Sequence, residues 1–263
     1  MGYYRVRQIY PWLHSIFDPL EEAFCYLAVG DERAVLVDSG NGIGNLTETV
    51  AGITEKPVEL ILAHGHSDHA GGAFQFGEAW LHEADFGLCG KHTSAKARGR
   101  DLDYNPETQS LLPEGFDREA YLNAGTGTLK PLEPGRVFDL GGLHLEVIPM
   151  GGHTAGSVGL LAREHRILLD SDSANAHVWL FLRESLSIKE YLAMLERVAE
   201  LDFDFYFSGH YDKPRPVSDF ARFIRVARNA TPEKAVPFPV FPEFGGMLYR
   251  EGGAELIFSK DKL

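Results

Sequence analysis

The sequence reads as an α/β protein, and three observations say so. Apolar runs of strand length recur along the chain, among them residues 58–63, 158–162 and 203–207. Segments of helical period lie between them, such as 217–230 with Phe220, Phe223, Ile224 and Ala227 on one face. Several runs end in Gly/Ser loops that carry His or Asp, and strand ends are where α/β proteins gather a site.

Taken in order, residues 3–10 alternate in the manner of a strand. Residues 23–29 and 34–38 flank a Gly30-Asp31-Glu32 turn and predict a hairpin. A Gly-rich loop at 39–44 matches no phosphate-binding fingerprint and reads as a turn. Asn45 with Glu48 forms a capping box for a helix to about residue 53. Strand 58–63 follows, then a short helix from near residue 70 and a strand over 78–82. Residues 90–115 mix Lys96, Arg98, Arg100 and Asp101 with few large apolar side chains, which predicts a long loop or insertion over about 90–120, acting as a lid. Its cations are expected to form a solvated face or a grip for an anionic substrate. In the second half, 137–140 with 143–148 and 158–162 with 166–169 read as hairpins. Ser187 and Glu190 cap a helix carrying Ile188, Leu192, Leu195 and Ala199 on one face. Strands are expected at 203–207, 247–249 and 255–258, the last two after a proline-rich connector.

Composition narrows the class. A chain of 263 residues, 44% hydrophobic and 24% charged, can bury a full core. Its 25 basic and 38 acidic residues leave a net charge of −13, which disfavours broad nucleic-acid binding. No stretch has the length to cross a bilayer and residues 1–17 lack a secretory apolar core, so a cytoplasmic protein is expected, with no membrane partner. Two cysteines, Cys25 and Cys89, are too few for a disulfide framework and read as buried thiols.

The densest chemistry is Ala63-His64-Gly65-His66-Ser67-Asp68-His69, where an apolar strand runs into a tight turn. Imidazole and carboxylate are the donors that Zn²⁺ accepts. His64 and His66 can point one way while Asp68 and His69 turn toward a neighbouring spot, which suggests two metals. Three later sites repeat the logic: His153 in Gly152-His153-Thr154, Asp170 and Asp172 after Leu168-Leu169, and His210 after Ser208-Gly209. His14, His82, His92, His144, His165 and His177 lie outside any such motif.

These runs resemble the metallo-β-lactamase superfamily over most of the chain, from Asp38 in Val37-Asp38-Ser39-Gly40 to His210. The resemblance implies an αββα sandwich of two mixed sheets flanked by helices, formed as one domain over residues 1–263. It implies that His64, His66 and His153 hold a first metal, that Asp68, His69 and His210 hold a second, and that Asp172 bridges them. Ser171 stands where glycine usually precedes the bridging acid, which leaves Asp170 as a rival for that role. Asp38 is implied as a support residue. The cofactors would be two divalent ions, Zn²⁺ first, with Mn²⁺ or Fe accepted by the same donors.

Such a pair can share a hydroxide and lower the pKa of bound water to roughly 7, with Asp68 orienting it. The expectation is therefore a dinuclear hydrolase of a small ester, thioester or lactone. Its rivals are a phosphodiesterase or nuclease, a mononuclear-iron sulfur dioxygenase, and a metal-binding protein without turnover. His177, Trp179 and Tyr211 are weaker candidates for contact with a small-molecule substrate. The apolar run 175–181 would form either a pocket wall or plain core.

Overall fold

The structure is a computed structural model that describes residues 2–104 and 108–263. The insertion expected at 90–120 therefore falls in part, at 105–107, outside the described residues. The first strands are β1 (Arg5–Tyr10), β2 (Leu13–Asp18), β3 (Ala23–Val29), β4 (Ala34–Val37), β5 (Val58–Ile61), β6 (Glu78–Leu81) and β7 (Thr128–Pro131). They form one sheet in chain order, antiparallel from β1 to β4 and parallel from β4 to β7. The strands that follow are β8 (Val137–Asp139), β9 (His144–Pro149), β10 (Val158–Ala162), β11 (Ile167–Ser171), β12 (His177–Leu180), β13 (Phe205–Ser208), β14 (Tyr211–Pro216), β15 (Val236–Pro237), β16 (Met247–Glu251) and β17 (Ala254–Phe258). Six of these make a second sheet in the order β14-β13-β11-β10-β9-β8, and β12-β17-β16-β15 make a third.

Side-chain alternation explains the layering. Val35 and Val37 of β4 and Ile61 of β5 join Val158, Leu160, Ile167 and Leu169 in a core shared by the two large sheets. The intervening residues, Leu36 and Leu60, face outward onto Leu46 and Val50 of α1 (Leu46–Ala51), Ala70 of α2 (Ser67–Ala70) and Cys89 of α3 (Phe86–His92). On the far side Leu161 and Leu168 face another core. It is completed by Leu195 of α7 (Ile188–Ala199), Phe223 of α8 (Phe220–Asn229) and Leu256 of β17. The result is helices, sheet, sheet, helices, with the third sheet alongside the last layer. Strands buried on both faces read as continuous apolar runs, which is why 58–63 and 158–162 were legible. Cys25 and Cys89 are buried and free.

The local signals largely hold. The Asn45 side chain accepts from the backbone N–H of Glu48, and Ser187 and Glu190 make a reciprocal capping box. Three differences have physical causes. The helix after the histidine cluster begins at Ser67, so Asp68 and His69 lie within it. Strands β2, β7, β12 and β14 form although their polar residues obscure the alternation, because neighbouring strands supply the pairing.

Residues 90–115, expected as a long loop or insertion, are largely helical where described: α3, α4 (Ala95–Tyr104) and α5 (Thr108–Leu111), followed by α6 (Arg118–Leu122). Leu102 and Tyr121 pack with Ile43 in a small core of their own. Arg98 is not part of an anion grip or a solvated face; only 1% of it is exposed. Its Nη2 donates to the carbonyls of Gly71 and Gly125 at 2.8 Å each, and its Nε donates to Thr93 O at 3.1 Å. The guanidinium also lies 4.6 Å over the Tyr121 ring. Among the described residues no helix is long and apolar enough to cross a membrane.

Arg98 thus ties α4 to the end of α2. Arg98→Met, which keeps the apolar stem but leaves these carbonyls without a donor, is expected to lower unfolding stability by about 3 kcal/mol in urea titration. A loss below about 0.5 kcal/mol would mean that the carbonyls find other donors.

Candidate metal centre

The site forms where β4, β5, β11 and β13 run out along one edge of the sandwich. Asp38, just beyond β4, has a φ of 64°, and its buried carboxylate reaches across three strand ends. Oδ1 accepts the N–H of Ala63 at 2.7 Å. Oδ2 accepts the Ser171 hydroxyl at 2.8 Å and lies 2.9 Å from His69 Nδ1. A carboxylate on Nδ1 keeps a proton there and makes Nε2 the ring nitrogen that is turned into the site.

The expected residues converge in two adjacent groups. His64, His66 and His153 form one; Asp68, His69, Asp172 and His210 form the other. The ligand atoms within each group lie within 4.8 Å of one another. In the first, His66 Nδ1 and His153 Nε2 are 2.9 Å apart, and the His64 ring lies 4.8 Å and 5.1 Å from the rings of His66 and His153. In the second, Asp68 Oδ2 is 3.1 Å from His69 Nε2 and 3.5 Å from His210 Nε2. One oxygen of Asp172 faces both groups: Oδ2 lies 3.3 Å from His210 Nε2, 3.6 Å from His69 Nε2 and 3.9 Å from His153 Nε2. Asp170 stays apart. Ser171, with a φ of 50°, breaks the strand alternation between the two acids, and both Asp170 oxygens are buried without a hydrogen-bond partner.

The donors suit a pair of dications. His64 Nε2 and Asp172 Oδ1 are buried with no hydrogen-bond partner, an arrangement that is costly unless something else engages the lone pairs. Nitrogen and carboxylate donors aimed at two neighbouring points are what Zn²⁺ and similar ions take.

Electrostatics divide the groups. Burial and the adjacent rings of His69 and His66 hold His64 well below the usual imidazole range. Burial and His66 bring His153 down to about 4. Burial opposes charge on His210, but Asp172 and Asp68 outweigh it and push the ring up to about 9. Burial likewise opposes charge on His69, and Asp68, Asp172 and Asp38 together raise it well above its ordinary value. Burial would raise Asp68, yet His69 and His210 hold it below the usual carboxylate range, and Asp172 behaves alike through His210 and His69. In the second group the carboxylates therefore favour protonation of the nitrogens that a cation would use.

Supports that the sequence did not disclose lie around both groups. Buried Asp85 accepts from Gly65 N–H at 3.0 Å, from the Thr154 hydroxyl at 2.6 Å and from Gly156 N–H at 2.9 Å, joining the first histidine loop to the His153 turn. A Cβ on Gly209 would lie 2.6 Å from both Asp172 Oδ1 and His69 Cε1, so only glycine lets the backbone pass. His92, outside every motif, brings its ring within 4.8 Å of His66. Glu184 Oε1 lies 2.9 Å from His66 Nε2. With His66, these two form a third group of metal-capable side chains. No spacing signal could have found Glu184, a single acid in a polar loop.

The weaker candidates have other neighbours. His177 Nδ1 is 2.5 Å from Glu255 Oε2. The Trp179 indole packs on Phe181, Phe238 and Phe241, while its carbonyl accepts from His153 Nδ1 at 3.0 Å. Tyr211 is exposed, with the Arg215 guanidinium 5.1 Å over its ring.

The model of the metallo-beta-lactamase superfamily matches residues 19–210. The acyl-coenzyme A thioesterase MBLAC2 of Homo sapiens is 27% identical over 209 residues, 72% of each chain. The hydroxyacylglutathione hydrolase GloC of Haemophilus influenzae is 26% identical over 155 residues, covering 56% of this chain and 65% of that protein. Among solved structures, a metallo-beta-lactamase family protein from Thermus thermophilus aligns with a TM-score of 0.59 at 22% identity, covering 84% of this chain and 80% of the other. A metallo-beta-lactamase from Pontibacter korlensis also gives 0.59, at 18% identity, covering 86% and 100%.

Two outcomes follow from the geometry. Asp38→Ala, which frees the His69 ring, is expected to weaken metal binding about 10- to 100-fold in titration against a chromophoric chelator. Metal uptake at pH 7 is expected to release protons, because His210 carries one up to about pH 9. Calorimetry in buffers of different ionisation enthalpy measures that release. The same proton stabilises the metal-free fold fully below the ordinary histidine pKa of about 6.5, and this contribution is lost as pH rises through about 9. Apparent metal affinity should accordingly rise between those pH values, and a flat profile would contradict the assignment.

Proposed function

The chain belongs to the metallo-beta-lactamase superfamily of metal-dependent hydrolases, and on that premise we propose that it hydrolyses small acyl thioesters at a pair of divalent cations. The observation that carries this reading is the convergence of seven imidazole and carboxylate side chains into two adjacent groups that share Asp172. His64, His66 and His153 would hold the first cation, Asp68, His69 and His210 the second, and Asp172 would touch both. Zn²⁺ suits this donor set, as do Mn²⁺ and Fe. When bound, such cations would supply a water ionised near neutral pH and positive charge for the reacting carbonyl oxygen.

The chain's own residues do the rest. Asp68, held ionised by His69 and His210, offers a carboxylate oxygen that accepts a hydrogen bond from the attacking water and fixes its direction. Asp38 keeps the His69 proton on Nδ1 through its 2.9 Å contact. The leaving group favours a thioester over an oxygen ester. A thiol of pKa about 8.5 departs as thiolate without a proton donor, whereas an alkoxide needs one. Tyr211, next in the chain to His210, has its ring under Arg215 and offers no such donor. Two of the relatives are named for acyl-coenzyme A and hydroxyacylglutathione, in both of which an acyl group is joined to a thiol.

The test is elemental analysis of the purified protein followed by assays with matched thioester and oxygen-ester substrates. Two metals per chain are expected, with activity lost on chelation and restored by Zn²⁺, and with the thioester preferred. Asp68→Asn should lower kcat by about 100-fold or more. A protein carrying two metals but no thioester turnover would overturn the substrate assignment. A single redox-active iron per chain would replace hydrolysis with oxygen chemistry.

A further inference from the structure

We infer that the segment of residues 179–186, closed from outside by Lys262, is the wall that shapes the first metal position, with Glu184 as the positioning residue for His66. The inference rests on the two-cation reading above and concerns the first position alone.

Two of that position's three imidazoles take their orientation from this short segment. His66 presents Nδ1 to His153 and Nε2 to Glu184 Oε1, 2.9 Å away on each side. A carboxylate at Nε2 draws the proton there and leaves the Nδ1 lone pair facing the cluster. His153 has the opposite polarity. Its Nδ1 donates to Trp179 O at 3.0 Å, which frees Nε2 toward the cluster. The segment is then laced to the His153 turn. The Ser185 hydroxyl donates to His153 O at 2.8 Å, and the N–H of Leu186 donates to Gly152 O at 2.8 Å.

Lys262 closes the outside. Its Nζ donates to Ser185 O at 2.6 Å and to Arg183 O at 3.2 Å, the two carbonyls that flank Glu184. On the other side the His92 ring, 4.8 Å from His66, limits rotation of the imidazole. The second position is built differently, since Asp38 is buried at a strand end and satisfied by Ala63 and Ser171. The first position therefore depends on a loop and one lysine. Lys262 also lies beyond the residues 19–210 that match the family model.

The experiment is a Zn²⁺ titration of the full chain against a chromophoric chelator, with metal content counted in parallel. Wild type is expected to show two ions per chain. Glu184→Ala should weaken one of them about 10- to 100-fold and leave the other within twofold. Glu184→Gln, which retains an acceptor, should recover part of the loss. Lys262→Met should weaken the same ion by a smaller factor. Glu255→Gln, which alters the comparable carboxylate–histidine pair at His177, should change neither.

Both ions held as in wild type by Glu184→Ala, or both weakened equally, would overturn the inference. A metal-free melting temperature matching wild type separates positioning from a folding defect. If Glu184→Ala does not fold, Lys262→Met carries the same test. A wild-type chain that binds fewer than two ions removes the two-cation reading itself, an outcome distinct from two ions with unaltered variants.

Discussion

The site hangs on one buried carboxylate. Asp38 satisfies a backbone N–H at the end of β5, a hydroxyl at the end of β11 and an imidazole on α2, so three segments that meet only in the folded chain share a single anion. Such a group is expensive to bury unless it is fully hydrogen-bonded, and here it is. Its left-handed backbone, unusual for a residue with a side chain, is the strain that turning the chain at that point entails.

The two large sheets are stitched together near the same place. The N–H of Val158 in β10 donates to Ala63 O at 2.9 Å, directly before the histidine cluster. The Tyr26 hydroxyl on β3 lies 2.9 Å from Ser208 O and 2.8 Å from Tyr211 O, within donating reach of the carbonyls on either side of His210. Phe24 N–H donates to Gly209 O at 2.7 Å. Candidate ligands from opposite sheets are thus held by hydrogen bonds of the frame itself. A rigid frame of this kind allows donor atoms to stay aimed at two points before any cation arrives.

Charge is arranged on the same principle. The chain carries −13 overall, yet within the second group two carboxylates are matched by two raised imidazoles. In the first group, burial and neighbouring rings hold His64 and His153 low. A cation at the second group would have to displace the proton of His210. Arg98, a cation drawn from the basic stretch at 96–100, serves the frame and not a ligand.

Chemistry that is local in the chain was open to inspection in the sequence. The run from His64 to His69, the apolar strands that end beside His153, Asp172 and His210, and the Ser187–Glu190 cap are each written within a few residues. Their patterns follow from strand and helix periodicity, which neighbouring residues settle. The resemblance they carry extended to the sandwich, which periodicity alone could not choose. Contacts over long separations were not open to it. Glu184 reaches His66 across 118 positions, Asp85 joins two loops that lie far apart in the chain, and Ser171 decides through its backbone angle which acid faces the site. The sequence alone determined that a dense set of imidazoles and carboxylates follows buried strands. Only the tertiary structure decided what stands behind each imidazole, because a hydrogen bond requires an approach within about 3 Å that packing of distant segments brings about.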